Sequence, residues 1–385
     1  MNINSYISAR AKDIPPFLAM DVLDKAKRLE AEGREIIHLE LGEPDFPTPE
    51  NVTEAALRAV KAGYTSYTPT QGLPELRQAV AHYYRCEYDL EVDPERVIIT
   101  MGSSPAMFLI FGALLNPGDE LLIPNPHYPP YPANIAFLGA KPVKFDLREE
   151  DSYCYRPEVI RDKISGKTRG LLINSPSNPT GMVQNGDSMQ ALAELCEEAG
   201  IFPISDEIYH GLTYSVRAPS ILEYTDRAFV MNGFSKRFAM TGWRLGWIIA
   251  PEEFIPALKN LHMNYFLSAA GFAQMAGVEA LQNCRAAADE MRATYQLRRD
   301  YLVREFRRLG FNIPAAPNGA FYLLVDFRHI SDDSPALAER LLEEAGLAVT
   351  PGIDFGSNAE GYIRISYATA MNDLQRAVKR LEKFI

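Results

Sequence analysis

Four segments of the 385-residue chain place polar or glycine-rich residues directly after a short apolar run. The first is Asn232-Gly233-Phe234-Ser235-Lys236-Arg237-Phe238-Ala239-Met240-Thr241-Gly242-Trp243-Arg244. A lone lysine is usually a solvated surface residue. Lys236, however, lies between the Ser235 hydroxyl and an apolar patch, with Arg244 eight positions on. Desolvation near a second cation depresses an amine pKa and makes it a nucleophile for a carbonyl. The second segment, Ser205-Asp206-Glu207-Ile208-Tyr209, sets an acid and then a phenol three residues later; alone, the acid reads as a helix cap. The third, Met101-Gly102-Ser103-Ser104, precedes an apolar helix at Ala106 to Leu115. Backbone N–H groups and the helix dipole make such a start an anion cradle, although taken alone it reads first as a capping serine after a turn glycine. The fourth, Asn174-Ser175-Pro176-Ser177-Asn178-Pro179-Thr180-Gly181, is a turn-rich run that reads as a rigid loop.

The elements around these segments decide whether they can meet. From about residue 50 to 285, runs rich in Val, Ile and Leu alternate with segments of helical period, which predicts a doubly wound, mainly parallel sheet. The predicted strands are Val97 to Thr100, Glu120 to Ile123, Gly170 to Ile173, Ile201 to Ile204, Ala228 to Met231 and Leu245 to Ile249. Gln190 to Ala199 is a predicted helix with Leu192 and Leu195 on its core side. Ligands of open α/β sheets bind beyond the carboxyl ends of the strands, where all four segments fall. A cradle, an acid, a phenol and an amine on one sheet edge together describe a site for pyridoxal 5'-phosphate (PLP).

A long charged helix from about Ala286 to Arg308 leaves this region, and the rest, ending in the helix Asp373 to Phe384, reads as a smaller α+β unit. The expected domains are an arm at 1–46, a large domain at 47–287 and a small one at 288–385, the arm packing on the small domain or on a partner subunit.

Composition bounds the alternatives. A net charge of −11, spread along the chain, disfavours nucleic acid. No stretch approaches the ~18 apolar residues of a membrane span, and the N-terminus has no signal-peptide core, so a cytoplasmic location is the expectation. Cys86, Cys154, Cys196 and Cys284 form no CxxC pair and the histidines no ligand spacing, so packed free thiols and no metal site are expected. A nicotinamide dehydrogenase would need a GxGxxG turn, which the chain lacks.

In this order, Ser-Lys-x-x-x-Met-Thr-Gly-Trp-Arg, the Asn-Pro-Thr-Gly loop and Ser-Asp-Glu-x-Tyr resemble the class I/II aminotransferases of PLP fold-type I. The resemblance runs from Leu41-Gly42-Glu43-Pro44-Asp45-Phe46, through Tyr67-Thr68-Pro69-Thr70-Gln71-Gly72 and Leu76-Arg77, to Tyr362-Ile363-Arg364-Ile365-Ser366. It implies a seven-stranded, mainly parallel sheet in the large domain. It also implies that Lys236 holds PLP covalently and shuttles the substrate proton, that Asp206 pairs with the pyridinium nitrogen, and that Tyr209 and Asn178 bond the ring oxygen. Ser103, Ser104, Ser235 and Arg244 would hold the phosphate, Tyr128 would stack on the ring, and Tyr67 would reach the phosphate of a neighbouring subunit in a homodimer with shared sites. Arg364, with Asn178 and the backbone at Gly42, would clamp the substrate carboxylate. Tyr67 and Tyr128 can also be read as core aromatics and Arg364 as a surface ion pair. Gly233 stands where many members carry a phosphate-binding serine.

The implied reaction is transfer of an amino group from an L-amino acid to a 2-oxo acid. The helix from Ala106 to Phe111 offers no cation for a distal carboxylate, so neutral or aromatic side chains are expected. Phe17, in a segment that often lids the pocket in relatives, is a substrate contact or equally a packing anchor; Tyr265 and Phe266 would add apolar surface. The rivals are a PLP-dependent carbon–sulfur β-lyase and a non-enzymatic PLP-binding regulatory module, the latter disfavoured because no basic segment precedes residue 40.

Overall fold

In a computed structural model, which describes residues 6–385, the strands are β1 (Ile37–His38), β2 (Val97–Thr100), β3 (Glu120–Asn125), β4 (Lys141–Asp146), β5 (Thr168–Asn174) and β6 (Phe202–Asp206). They continue with β7 (Phe229–Gly233), β8 (Gly246–Ile249), β9 (Tyr322–Asp326), β10 (Leu347–Ala348), β11 (Thr350–Pro351) and β12 (Tyr362–Ser366). Seven of them form one sheet in the order β2-β8-β7-β6-β5-β3-β4. All neighbours are parallel except those of β8, which runs antiparallel to both β2 and β7.

Helices cover both faces, and the two-residue period of the strands sorts side chains between them. Val97, Ile99, Leu122, Leu171, Ile173, Val230 and Trp247 enter one core cluster. The residues alternating with them, Ile98, Leu121, Ile123, Leu172, Phe229, Met231 and Ile248, enter the other. Burial on both faces is why these strands read as unbroken apolar runs. β4 was not legible in that way. It is an edge strand, KPVKFD, whose lysines and proline protect an open edge and break the apolar run.

The C-terminal part carries the antiparallel sheet β11-β12-β9 under the helices Arg285–Arg308, Ser334–Ala345 and Met371–Phe384. The last buries Leu374, Ala377, Val378 and Leu381, one stripe of helical period. β1 pairs in parallel with β10, and the helix Leu18–Ala31 buries Ala26 against Ile36, Leu342 and Ala348. The charged helix Arg285–Arg308 is not simply a solvated face. Arg298 is buried and forks onto Asp45 at 2.7 and 2.9 Å, and Arg299 donates to the Pro317 carbonyl.

All four cysteines are free, but the reading of packed thiols fails for Cys86. It is exposed on the outer face of the helix Pro74–Tyr88, its Sγ 3.3 Å from His82 Nε2. Among the described residues no helix is long and apolar enough to cross a membrane, and no group of His, Cys, Asp and Glu is arranged to hold a metal ion.

Candidate active site

The carboxyl ends of β2, β5, β6 and β7 converge on one cavity of about 390 Å³, and it collects most of the residues singled out in the sequence. Gly42, Ser103, Ser104, Tyr128, Asn178, Asp206, Tyr209, Ser235, Lys236, Arg244, Arg364 and Phe17 all line it.

Lys236 follows β7 by three residues, and its Nζ donates to the Gly42 carbonyl oxygen at 2.5 Å. Gly42 is required there, because a Cβ would lie 2.0 Å from the Tyr322 hydroxyl. Burial lowers the Lys236 pKa to about 8; Glu43 and Asp206 oppose that shift, and Arg364 and Arg244 add to it. The amine is therefore far closer to its reactive neutral form than an exposed lysine.

Asp206 is the last residue of β6 and is buried. Its Oδ2 accepts from the Tyr131 hydroxyl at 2.6 Å and its Oδ1 from the Ile208 N–H at 3.2 Å. Burial raises its pKa to about 6 against these donors and Lys236. The Tyr209 hydroxyl lies 2.7 Å from that of Tyr322. Asn178 is fixed by the turn after β5, where its N–H donates to Asn174 Oδ1 at 2.9 Å. Its own Oδ1 accepts from Arg364 at 3.1 Å, which leaves its Nδ2 as a donor for the pocket.

The anion cradle is built on the helix Ser103–Leu114, whose N-cap is Gly102 at φ +96°. A side chain at Gly102 would meet the Arg244 guanidinium at 2.9 Å, so glycine lets cation and helix start close on one point. Arg244 itself sits at φ +52°, a strained conformation for a residue with a side chain, and donates to the Thr241 carbonyl at 2.8 Å. Gly233 ends β7 against Gly246 and does not line the cavity.

Arg364 lies on β12 and is buried, so its reading as a surface ion pair fails. It donates to Asn178, to Thr350 Oγ1 at 3.0 Å and to the Glu40 carbonyl, and its guanidinium lies 4.6 Å from the Tyr322 ring centroid. Tyr128 meets Phe17 and Tyr131 edge-on, with centroids 6.3 and 5.4 Å away. Tyr67 is 85 % exposed and outside this chain's cavity, so its reading as a core aromatic fails. Tyr265 and Phe266 do not supply pocket surface either. Neither lines the cavity, and both rings pack edge-on against Phe108.

Sequence reasoning missed Tyr131 and Tyr322 and gave no role to Glu43, Asn174 and Thr241 within the motifs that hold them; all five also line the cavity. Tyr131 stands three residues after Tyr128 in an aromatic and proline-rich run, a usable signal. Nothing local marked Tyr322, which arrives on β9 from the C-terminal sheet.

This donor set fits PLP. A helix start with hydroxyls and a guanidinium suits a phosphate, a buried acid suits a protonated ring nitrogen, and a desolvated amine suits a carbonyl. The comparisons agree. The sequence profile of the family described as aminotransferase class I and II matches residues 34–381. The chain is 40 % identical over 384 residues to an aspartate/prephenate aminotransferase of Thermus thermophilus, covering 98 % of each chain. It is similar in structure to the Thermus thermophilus aspartate aminotransferase with maleate, at a TM-score of 0.95 and 40 % identity over 98 % of this chain and 99 % of that one. It is also similar to a Methanococcus jannaschii protein whose active site resembles those of kynurenine aminotransferases, at a TM-score of 0.90 and 37 % identity over 98 % of this chain and 99 % of that one.

Proposed function

From the premise that the chain belongs to the class I and II aminotransferases, which are PLP-dependent, we propose that it moves the amine of a neutral or aromatic L-amino acid to a 2-oxo acid. The observation that carries the side-chain preference is the count of cations. Among the described residues of this chain, Lys236, Arg244 and Arg364 are the cations lining the cavity, and each has a task. The remaining wall includes Phe17, Met20, Leu23, Leu41 and Ile208, with the carboxylate of Glu43 among them. Among the described residues of this chain that line the cavity, none is left to pair with a distal substrate carboxylate, and an unpaired buried charge is unfavourable. The Thermus relatives are named for aspartate and prephenate, so this reading makes aspartate the weaker donor for this chain.

In this reading Ser103, Ser104, Ser235 and Arg244 would bind the phosphate, and Asp206, oriented by Tyr131, would keep the ring nitrogen protonated. Tyr209 and the Nδ2 of Asn178 would donate to the ring oxygen, and Tyr128 would supply an aromatic face for the ring. When bound, PLP supplies an electron sink and carries the amino group between the two half-reactions. Arg364 holds the substrate carboxylate through its planar fork, steadied by Thr350 and Asn178. The Gly42 carbonyl orients Lys236, whose Nζ moves the proton from the substrate α-carbon.

A homodimer with shared sites belongs to the same proposal. Leu57, Val60, Tyr67, Met263, Leu267 and Phe272 are exposed apolar residues. Their segments adjoin: the helix Glu50–Lys61 packs on Gly271–Asn283, and the Thr68 N–H donates to Ser268. Exposed apolar residues gathered on adjoining segments support the reading of this surface as an association face.

The test is borohydride reduction of the purified protein with peptide mapping, alongside Lys236→Ala, followed by amino donors paired with 2-oxoglutarate or pyruvate. Label on Lys236 and acceptor-dependent product are expected. Label on another lysine, or pyruvate and ammonia released without an acceptor, defeats the assignment.

A further inference from the structure

The helix Leu18–Ala31 starts without a cap of its own, because Phe17 stands at its N-cap and has no side-chain acceptor. The acceptor comes from 336 residues away. Asp354 Oδ1 accepts from the Leu18 N–H at 3.1 Å, and its Oδ2 from the Ala19 N–H at 3.3 Å. Two of the orphan donors of a helix start are thereby met by an acid, the charge that a helix N-terminus favours. Asp354 belongs to the turn Gly352–Phe355, directly after the strand that carries Thr350, a partner of Arg364. The same turn is anchored from below, where the Ile353 N–H donates to Ser334 Oγ at 3.1 Å. One short stretch of chain therefore steadies both the carboxylate clamp and the residue at the head of the helix.

That residue is a wall with space on both sides. Phe17 lines the cavity that holds Lys236, and it also lines a separate outer chamber of about 670 Å³. Ile14, Pro16, Phe108, Pro130 and Phe137 give this chamber a mostly apolar lining, with Lys144, His127, Asn134 and Asp354 itself as its polar members. The inner cavity of about 390 Å³ has to take cofactor and substrate together. A cofactor with an aromatic amino acid has the bulk of a drug-sized ligand, whose pockets run from about 300 to 1,000 Å³. The inner cavity is at the small end of that range, and the outer chamber is the adjoining space.

We propose that Asp354 is a positioning residue that fixes Phe17 as the partition between the two cavities, and that the outer chamber receives the distal part of a bulky apolar substrate side chain when the partition yields. This rests on the amine-transfer reading above and adds to it what sets the upper size of the side chain.

The test uses the PLP-loaded protein and the variants Phe17→Ala, Asp354→Ala and Asp354→Asn, with kcat/KM measured for alanine, phenylalanine and tryptophan as donors. Phe17→Ala is expected to raise the tryptophan-to-alanine ratio by about tenfold or more, since room for apolar bulk is worth that much. Asp354→Ala is expected to shift the ratio in the same direction through KM, by up to about tenfold, the usual effect of losing a cap. Asp354→Asn keeps one acceptor and is expected to fall between Asp354→Ala and the wild type. A second readout is calorimetric binding of propionate and 3-phenylpropionate, in which Phe17→Ala is expected to strengthen binding of the phenyl compound alone. If Asp354→Ala does not fold, Asp354→Asn and Phe17→Ala carry the test. An equal change for all donors, or analogue binding indifferent to Phe17, overturns the proposal. Absence of turnover in the wild type would defeat the amine-transfer reading instead, and the analogue titration would still decide the partition.

Discussion

The hydroxyl of Tyr131 donates to Oδ2 of Asp206 at 2.6 Å, and both groups are buried. Burial drives the Asp206 carboxyl towards its neutral form, and Tyr131 is the strongest single influence holding it ionised. The tyrosine stands on a helix beyond β3 while the aspartate ends β6, so the acid's state is set by an element that it never meets in sequence.

Tyr131→Phe removes that donor with little change of shape. A hydrogen bond to a charged group contributes about 1.5–3 kcal/mol, so PLP affinity is expected to fall by roughly 10- to 100-fold in a folded protein. Equilibrium dialysis of the cofactor checks this; an unchanged affinity would mean that the Ile208 N–H and Lys236 suffice to hold Asp206.

The pH dependence of cofactor capture follows from Lys236. Only the neutral amine attacks a carbonyl, and burial brings this amine to about 8. The rate of PLP uptake by the apoprotein is expected to rise with pH and level off above about 8, whereas an unperturbed lysine would keep rising to about 10.4. Stopped-flow absorbance across that range distinguishes the two.

Arg364→Lys keeps the charge and loses the fork. The lysine can meet at most part of the set formed by Asn178, Thr350 and the Glu40 carbonyl, and those buried acceptors are left short. An increase in KM of about 100-fold for amino donors and 2-oxo acids alike, with PLP affinity kept, is the expected result of steady-state kinetics. A change confined to kcat would place Arg364 away from the carboxylate.

His38 bridges the helix Leu18–Ala31 to β1, with Nδ1 2.8 Å from Glu40 and Nε2 3.1 Å from Glu30. The Glu40 carboxylate, first, and then Glu30 raise its pKa above 6.5 against the opposing effect of burial. A group whose folded pKa is raised stabilises most below its unfolded pKa and loses that contribution as pH climbs through the folded value. His38→Gln is therefore expected to destabilise the protein most below about pH 6.5, with the difference closing as the pH rises past the folded value. Urea unfolding at several pH values measures it; a gap that stays constant would assign the loss to packing.

The sequence alone made the doubly wound sheet legible, because strands buried on both faces must be apolar throughout, as in Val97 to Thr100 and Gly170 to Ile173. It also marked the polar ends of those strands, since Ser103, Asn178, Asp206 and Lys236 interrupt apolar runs where a parallel sheet opens its crevice. The edge strand β4 and the reversal of β8 left no such trace, because edge position and strand direction depend on neighbours rather than on composition.

Only the tertiary structure decided which residues complete the site. Tyr131 reaches Asp206, Tyr322 reaches Tyr209 and faces Arg364, and Asp354 reaches back to Leu18. Each of these pairs joins segments from different elements, the last across 336 residues. Local sequence encodes period, caps and turns; a contact between distant segments exists only once packing has fixed their distance and angle, so no single stretch of residues could announce it.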